Sequence, residues 1–169
     1  MSVWFDFDEV DAFTVGTIGR PGARTFLLQV RRGGTRVTVK CEKQQAAAIA
    51  EYLRRVLSDL PEPESRPMAT TMELADPVEP SFVLGPVGLG YDRATDKVLV
   101  QLDEVPTLDE EGEPVDDDED RGHLRLFVTR SQAAAFCAHT DEVVAAGRPN
   151  CRWCARPIDP DGHPCNRMN

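Results

Sequence analysis

The chain has 169 residues, 41% of them apolar, enough for one domain of ordinary size with a sizeable buried core. It contains no apolar run near the about 18 residues of a membrane span, and its first residues, Met1 to Asp6, are acidic where a secretory signal is basic and then apolar, so a cytoplasmic protein without membrane association is expected. The formal charge of −10 weighs against general nucleic-acid binding, yet eleven acidic groups lie within residues 103 to 120, a stretch without Lys or Arg, and the remainder of the chain carries +1.

Along the chain, a weak strand at residues 3–7 is followed by three short blocks rich in Val, Leu, Phe and Thr: Phe13 to Gly19, Phe26 to Val30 and Val37 to Cys41. Their length and bounding turns, such as Arg32-Gly33-Gly34-Thr35, predict strands. From Gln45 the apolar positions Ile49, Leu53, Val56, Leu57 and Leu60 take the one-face spacing of a helix. The prolines of residues 61–71 favour an extended, solvated connection.

The same order then returns. Phe82 to Gly88 matches the first block at an offset of 69, Val98 to Leu102 the second at 72, and Leu124 to Val128 with the helix from Gln132 the third and its helix at 87. Phe136, Val143 and Val144 fall on the second helix's apolar face, Thr129 or Ser131 can cap it, and Gly147 with Pro149 can end it. Residues 72–76 would answer to the leading strand. The expected fold is α+β, an internal duplication of β-β-β(-β)-α units related by a pseudo-two-fold, with two helices covering antiparallel sheet, either as one continuous sheet or as two packed sheets. The units span residues 1–60 and 72–147, the second carrying the acidic loop 103–120 where the first has a Gly33-Gly34 turn.

Residues 148–169 form a third unit. Cys151 and Cys154 stand two residues apart, the spacing that grips a tetrahedral ion, and His163 and Cys165 supply a second pair across turn-forming residues. Three sulfurs and one imidazole make a closed ligand set, which predicts a structural zinc knuckle with one zinc per chain; iron fits the same ligands. The alternative is a thiol redox motif, but such a motif usually opens a helix after a strand, whereas this one follows the last helix. Trp153 is expected as a lid packed on the domain, with an exposed contact residue as the other reading. Cys41 and Cys137 are expected as small core residues, and His123 and His139 as structural or solvated.

No phosphate loop, nucleophile with its base, or open metal site emerges, so catalysis is not the leading expectation. A protein-binding adaptor is expected, with the acidic loop and the knuckle as contact surfaces and its partner unidentified. The second reading is a nucleic-acid or ribosome-associated module acting through Arg148, Arg152, Trp153 and Arg156. Lys43 and Gln45, with their counterparts Arg130 and Gln132 at the second helix entry, are candidate binding residues, against the alternative that they cap the helices. Oligomeric state is not legible.

Phe13 through Gly19, Gly22-Ala23-Arg24-Thr25-Phe26, Glu42-Lys43-Gln44-Gln45 and the ending with Pro157, Asp159-Pro160, Gly162-His163, Cys165, Arg167 and Asn169 together resemble an actinobacterial family designated domain of unknown function 3090. The resemblance covers nearly the whole chain, departing at Ala155 and Asn166 where that pattern has Gly and Pro. It implies an actinobacterial, cytoplasmic protein and no particular activity.

Overall fold

The computed structural model describes residues 3–20, 22–147, 151–154, 156, 165 and 167. Seven strands, β1 (Trp4–Phe7), β2 (Ala12–Ile18), β3 (Thr25–Arg32), β4 (Thr35–Cys41), β5 (Phe82–Asp92), β6 (Lys97–Glu104) and β7 (His123–Thr129), build one sheet in the order β1-β7-β6-β5-β4-β3-β2. Two 16-residue helices, α1 (Lys43–Ser58) and α2 (Arg130–Ala145), follow β4 and β7. The strands coincide with the β-branched and aromatic blocks of the sequence: β1 is one residue shorter than its block, β2 is shifted by one, and the other five are extended by two to four residues.

The sheet corrects the expectation of purely antiparallel pairing. Within each trio the strands are antiparallel, but β4 pairs β5 in parallel through Val39 with Phe82 and Lys40 with Val83, and β1 pairs β7 in parallel from Trp4 with His123 to Phe7 with Leu126. Parallel joints are what a crossover through a helix produces, and α1 with its connection is that crossover between β4 and β5. Residues 72–76 are not a strand either: Ala69–Met72 form a 3-10 turn, and the following residues lie across the back of β2 and β3. There Thr14 Oγ1 donates to the Met72 carbonyl at 2.7 Å, while Gln29 donates to the Ala75 carbonyl at 3.0 Å and accepts from its N–H at 2.8 Å. These bonds explain why Thr14 and Gln29 are buried without penalty.

β1 and β2 are the two edges of the sheet, yet only residues 8–11 join them. A flat seven-stranded sheet would separate its edges by about 29 Å, and the loop reaches about 18 Å at most. The sheet must therefore curl, and the helices fill its concave side. Phe13, Val15, Leu28, Val39, Val100, Leu126 and their neighbours in register form a single core with Ala46, Ile49, Leu53, Ala133, Phe136 and Cys137 of the helices. Phe13 and Phe136 stack at 4.3 Å with rings 2° from parallel, joining β2 to α2.

Two glycines mark places where this packing leaves no room for a side chain. A Cβ on Gly16, in the middle of β2, would come within 2.5 Å of Leu74, and one on Gly85, at the irregularity of β5, within 2.6 Å of the Val105 backbone. Gly16-Thr17-Ile18-Gly19 is thus a strand under a crossing segment, with Gly19 turning at φ +97°. Among the described residues no helix is long and apolar enough to cross a membrane.

Candidate metal centre

Thr129 caps α2 and, with Gln132, forms a reciprocal pair: Gln132 N–H donates to Thr129 Oγ1 at 3.1 Å, and the Thr129 N–H donates to Gln132 Oε1 at 2.9 Å. At α1 the Glu42 N–H likewise donates to Gln45 Oε1 at 2.8 Å. Both glutamines then use their amide N–H groups to reach across the fold, Gln45 to the Leu84 carbonyl at 3.1 Å and Gln132 to the Val10 carbonyl at 2.8 Å. Gln45 thus ties its helix entry to β5 and Gln132 to the loop between β1 and β2, so each has a structural use beside the contact role expected of it.

Arg130 grips the Asp96 carboxylate through Nε and Nη2 at 2.9 and 3.0 Å and also donates to the Pro61 carbonyl. This guanidinium, with the Tyr91 hydroxyl, holds the Asp96 carboxyl below its usual range. Lys43 stands at the mouth of a small cavity with Arg24, whose Nη1 donates to the Val143 carbonyl at 2.9 Å. Arg24 was not singled out by sequence reasoning; it places its charge on a carbonyl in the last turn of α2, a role that depends on a contact 119 residues away. A larger cavity of about 300 Å³ opens between α1 and β5, beside Gln45, Ile49, Tyr52 and Leu89. Among the described residues no carboxylate, imidazole or thiol lines it.

The chemistry-bearing cluster is at the C-terminus. Beyond α2 the chain makes a tight turn in which the Cys151 N–H donates to the Arg156 carbonyl at 2.8 Å and the Trp153 N–H points at Cys151 Sγ at 3.4 Å. Cys151, Cys154 and Cys165 thereby bring their sulfurs within 4.8 Å of one another. Backbone N–H groups of Cys154 and Trp153 hold the Cys151 thiol below its ordinary pKa, favouring the thiolate that ligates metals. Cys165 is drawn down by the Arg167 backbone N–H, but burial and the neighbouring sulfurs carry it above its ordinary value, as expected when one negative charge already occupies the cluster.

Cys151 and Cys165 sulfurs are 3.8 Å apart. A disulfide needs about 2.05 Å, whereas two thiolates on one tetrahedral ion at about 2.3 Å each lie about 3.8 Å apart. The three thiols therefore fit a metal and are not paired with one another in a disulfide. Cys151 is buried, and Cys154 and Cys165 are partly so. His163, expected as the fourth ligand, and Arg148 lie outside the described residues.

Trp153 is 48% exposed, with the Arg152 guanidinium 4.9 Å over its ring, which corrects the expectation of a lid packed on the domain. The Trp153 carbonyl accepts from Arg167 at 3.5 Å, so it is the backbone, not the indole, that is held. Arg156 is exposed. Cys41 and Cys137 are core residues, with burial pushing their thiols up to about 12 and about 11, far from any role as nucleophile or ligand at neutral pH. His139 Nε2 donates to the Val15 carbonyl at 2.9 Å, and because a carbonyl only accepts, Nε2 carries the proton there.

Residues 5–165 match the family model described as protein of unknown function (DUF3090). No curated protein and no solved structure matches the chain.

Proposed function

Since the chain belongs to the DUF3090 family, whose function is unknown, we propose from its geometry that it is a zinc-containing, non-enzymatic adaptor that contacts a protein partner. The observation that carries this reading is the convergence of Cys151, Cys154 and Cys165 at the sulfur spacing of a tetrahedral centre. His163 completes the set as fourth ligand, and one structural zinc per chain orders residues 148–169, which offer little apolar area of their own. Four protein ligands leave no open position for a catalytic water. The turn that holds the metal presents Trp153 and Arg152 outward, and residues 103–120 present carboxylates; these are the two contact surfaces. The setting is cytoplasmic, where thiols stay reduced and available to zinc.

The body that carries the knuckle is read as an internal duplication of residues 1–60 and 72–147. The helix contacts support that reading: the Cys137 thiol donates to the Ala50 carbonyl at 3.3 Å, and Arg54 pairs with Asp141, each pair being separated by the offset of 87 that aligns the two helices. Helices related by a two-fold meet through equivalent residues in this way.

A second reading is favoured by one observation, the Arg152 guanidinium lying over an exposed indole, an arrangement on which an unpaired base can stack. Capture from cell extract by the full chain separates the two. A partner retained through moderate salt and nuclease treatment, and lost with Cys151→Ser/Cys154→Ser, supports the adaptor. Nuclease-sensitive capture that falls steeply with salt supports nucleic acid instead, and equal capture by both chains removes the knuckle from either role.

A further inference from the structure

Between β6 and β7 the acidic segment is a built hairpin. The Asp109 carboxylate accepts the N–H groups of Glu111 and Glu113 at 2.9 Å each, Gly112 turns at φ +86°, and Leu108 bridges Pro114. Its base closes on His123, the first residue of β7, which is 6% exposed under the Trp4 ring at 4.8 Å and donates its backbone N–H to the Val3 carbonyl at 2.7 Å. Nδ1 of His123 lies 2.7 Å from Asp103 Oδ1 on β6, and Nε2 lies 2.9 Å from the Asp118 carbonyl in the 3-10 turn Asp118–Asp120.

A carbonyl and a carboxylate both only accept, so both ring nitrogens must donate. The neutral ring has one N–H and would set a lone pair against one of these oxygens. The surrounding charges agree. On β6 are Asp103, itself touched by Gln101 at 3.4 Å, and Glu104, which accepts the Gly122 N–H at 2.7 Å. In the turn are Asp117, Asp118, Glu119 and Asp120, with Arg121 paired to Asp116 and Asp118 at 3.3 Å. On the far side, Asp6 of β1 faces Arg125 of β7 at 4.0 Å.

We propose that His123 is a pH-operated clasp of the acidic hairpin: its imidazolium ties the Asp118–Asp120 turn to β6, and loss of the proton releases the turn and loosens the base of the hairpin. Burial alone would push the imidazole down, but the Asp118 carbonyl and the Asp103 carboxylate outweigh it and hold the ring above its ordinary value. With the folded value raised, the clasp is fully closed below the unfolded value of about 6.5 and is lost as pH rises through the folded one. The device does not depend on whether the hairpin has a partner.

The test is nitrogen NMR of the His123 ring with amide hydrogen exchange of Asp120 and Gly122, corrected for the intrinsic pH dependence of exchange. The clasp requires a midpoint above about 6.5, both ring nitrogens protonated below that midpoint, and a fall in protection of about tenfold or more through it. In Asp103→Asn the amide can donate to Nδ1, so a neutral ring keeps both bonds and protection stays flat with pH. A midpoint at or below the ordinary value, pH-independent protection in the natural chain, or the same fall in Asp103→Asn overturns the proposal.

Discussion

In the body of the molecule 24 buried residues pack into one core between a curled sheet and two helices, whereas in the turn Cys151 to Cys154 only Cys151 is buried and Trp153 is 48% exposed. The body is held by removing apolar surface from water and by joining distant segments, as Phe13 joins Phe136. The turn offers little apolar surface to bury, and its proposed source of order is an ion among the sulfurs of Cys151, Cys154 and Cys165. On the proposed reading the two regions draw their order from different sources, and each can be perturbed while the other is watched.

The largest expected effect belongs to the proposed metal, since binding in small thiolate sites is worth on the order of 10–16 kcal/mol. Chelation should make Cys151, Cys154 and Cys165 react quickly with a thiol reagent, while Cys41 and Cys137, held as thiols in the core, stay slow until the body unfolds. Five thiols reacting together, before or after chelation, would dissolve the distinction between the regions.

Phe136→Ala should cost the body about 3–5 kcal/mol in denaturant unfolding and leave the metal content of the folded chain unchanged. Gln132→Ala and Gln45→Ala should each cost about 1–2 kcal/mol, because each removes a cap and leaves the carbonyl of Val10 or Leu84 without its donor. Stability unchanged by both would return these glutamines to the contact role. Trp153→Ala should move unfolding by less than about 0.5 kcal/mol, so a loss of capture by that variant reports a surface and not a fold.

Much of the body could be read from the sequence because its signals are local. Short blocks rich in Val, Leu, Phe and Thr marked six strands, β1 showed only as a weak strand at residues 3–7, and the recurrence of Gln45-Ala46-Ala47-Ala48 as Gln132-Ala133-Ala134-Ala135 placed both helix entries, now seen as N3 positions of capped helices. The parallel joints of β4 with β5 and of β1 with β7 were not legible, since pairing across a crossover leaves no periodicity in either strand. Residues 72–76 alternate weakly like a strand, but Leu74 is drawn onto Gly16 and Ala75 onto Gln29, and those contacts decide their path.

At the sites, cysteine spacing sufficed to place the thiols together, while the exposure of Trp153 depended on how the turn faces solvent. The acidic run read as uniform charge and concealed a hairpin whose carboxylates bind their own backbone. The one cue was Asp109-Glu110-Glu111-Gly112, an Asx residue followed by a glycine, which is turn chemistry. His123, three residues past the end of that run, had the further signal of a single histidine beside the acidic loop.

The most direct test of the account is the metal content, by mass spectrometry, of the full chain purified without added metal, beside Cys151→Ser/Cys154→Ser. About one zinc per natural chain, lost in the variant with the body still folded, is the predicted result. A metal-free natural chain whose Cys151 and Cys154 cycle reversibly through a disulfide would contradict it and make the cluster a redox site.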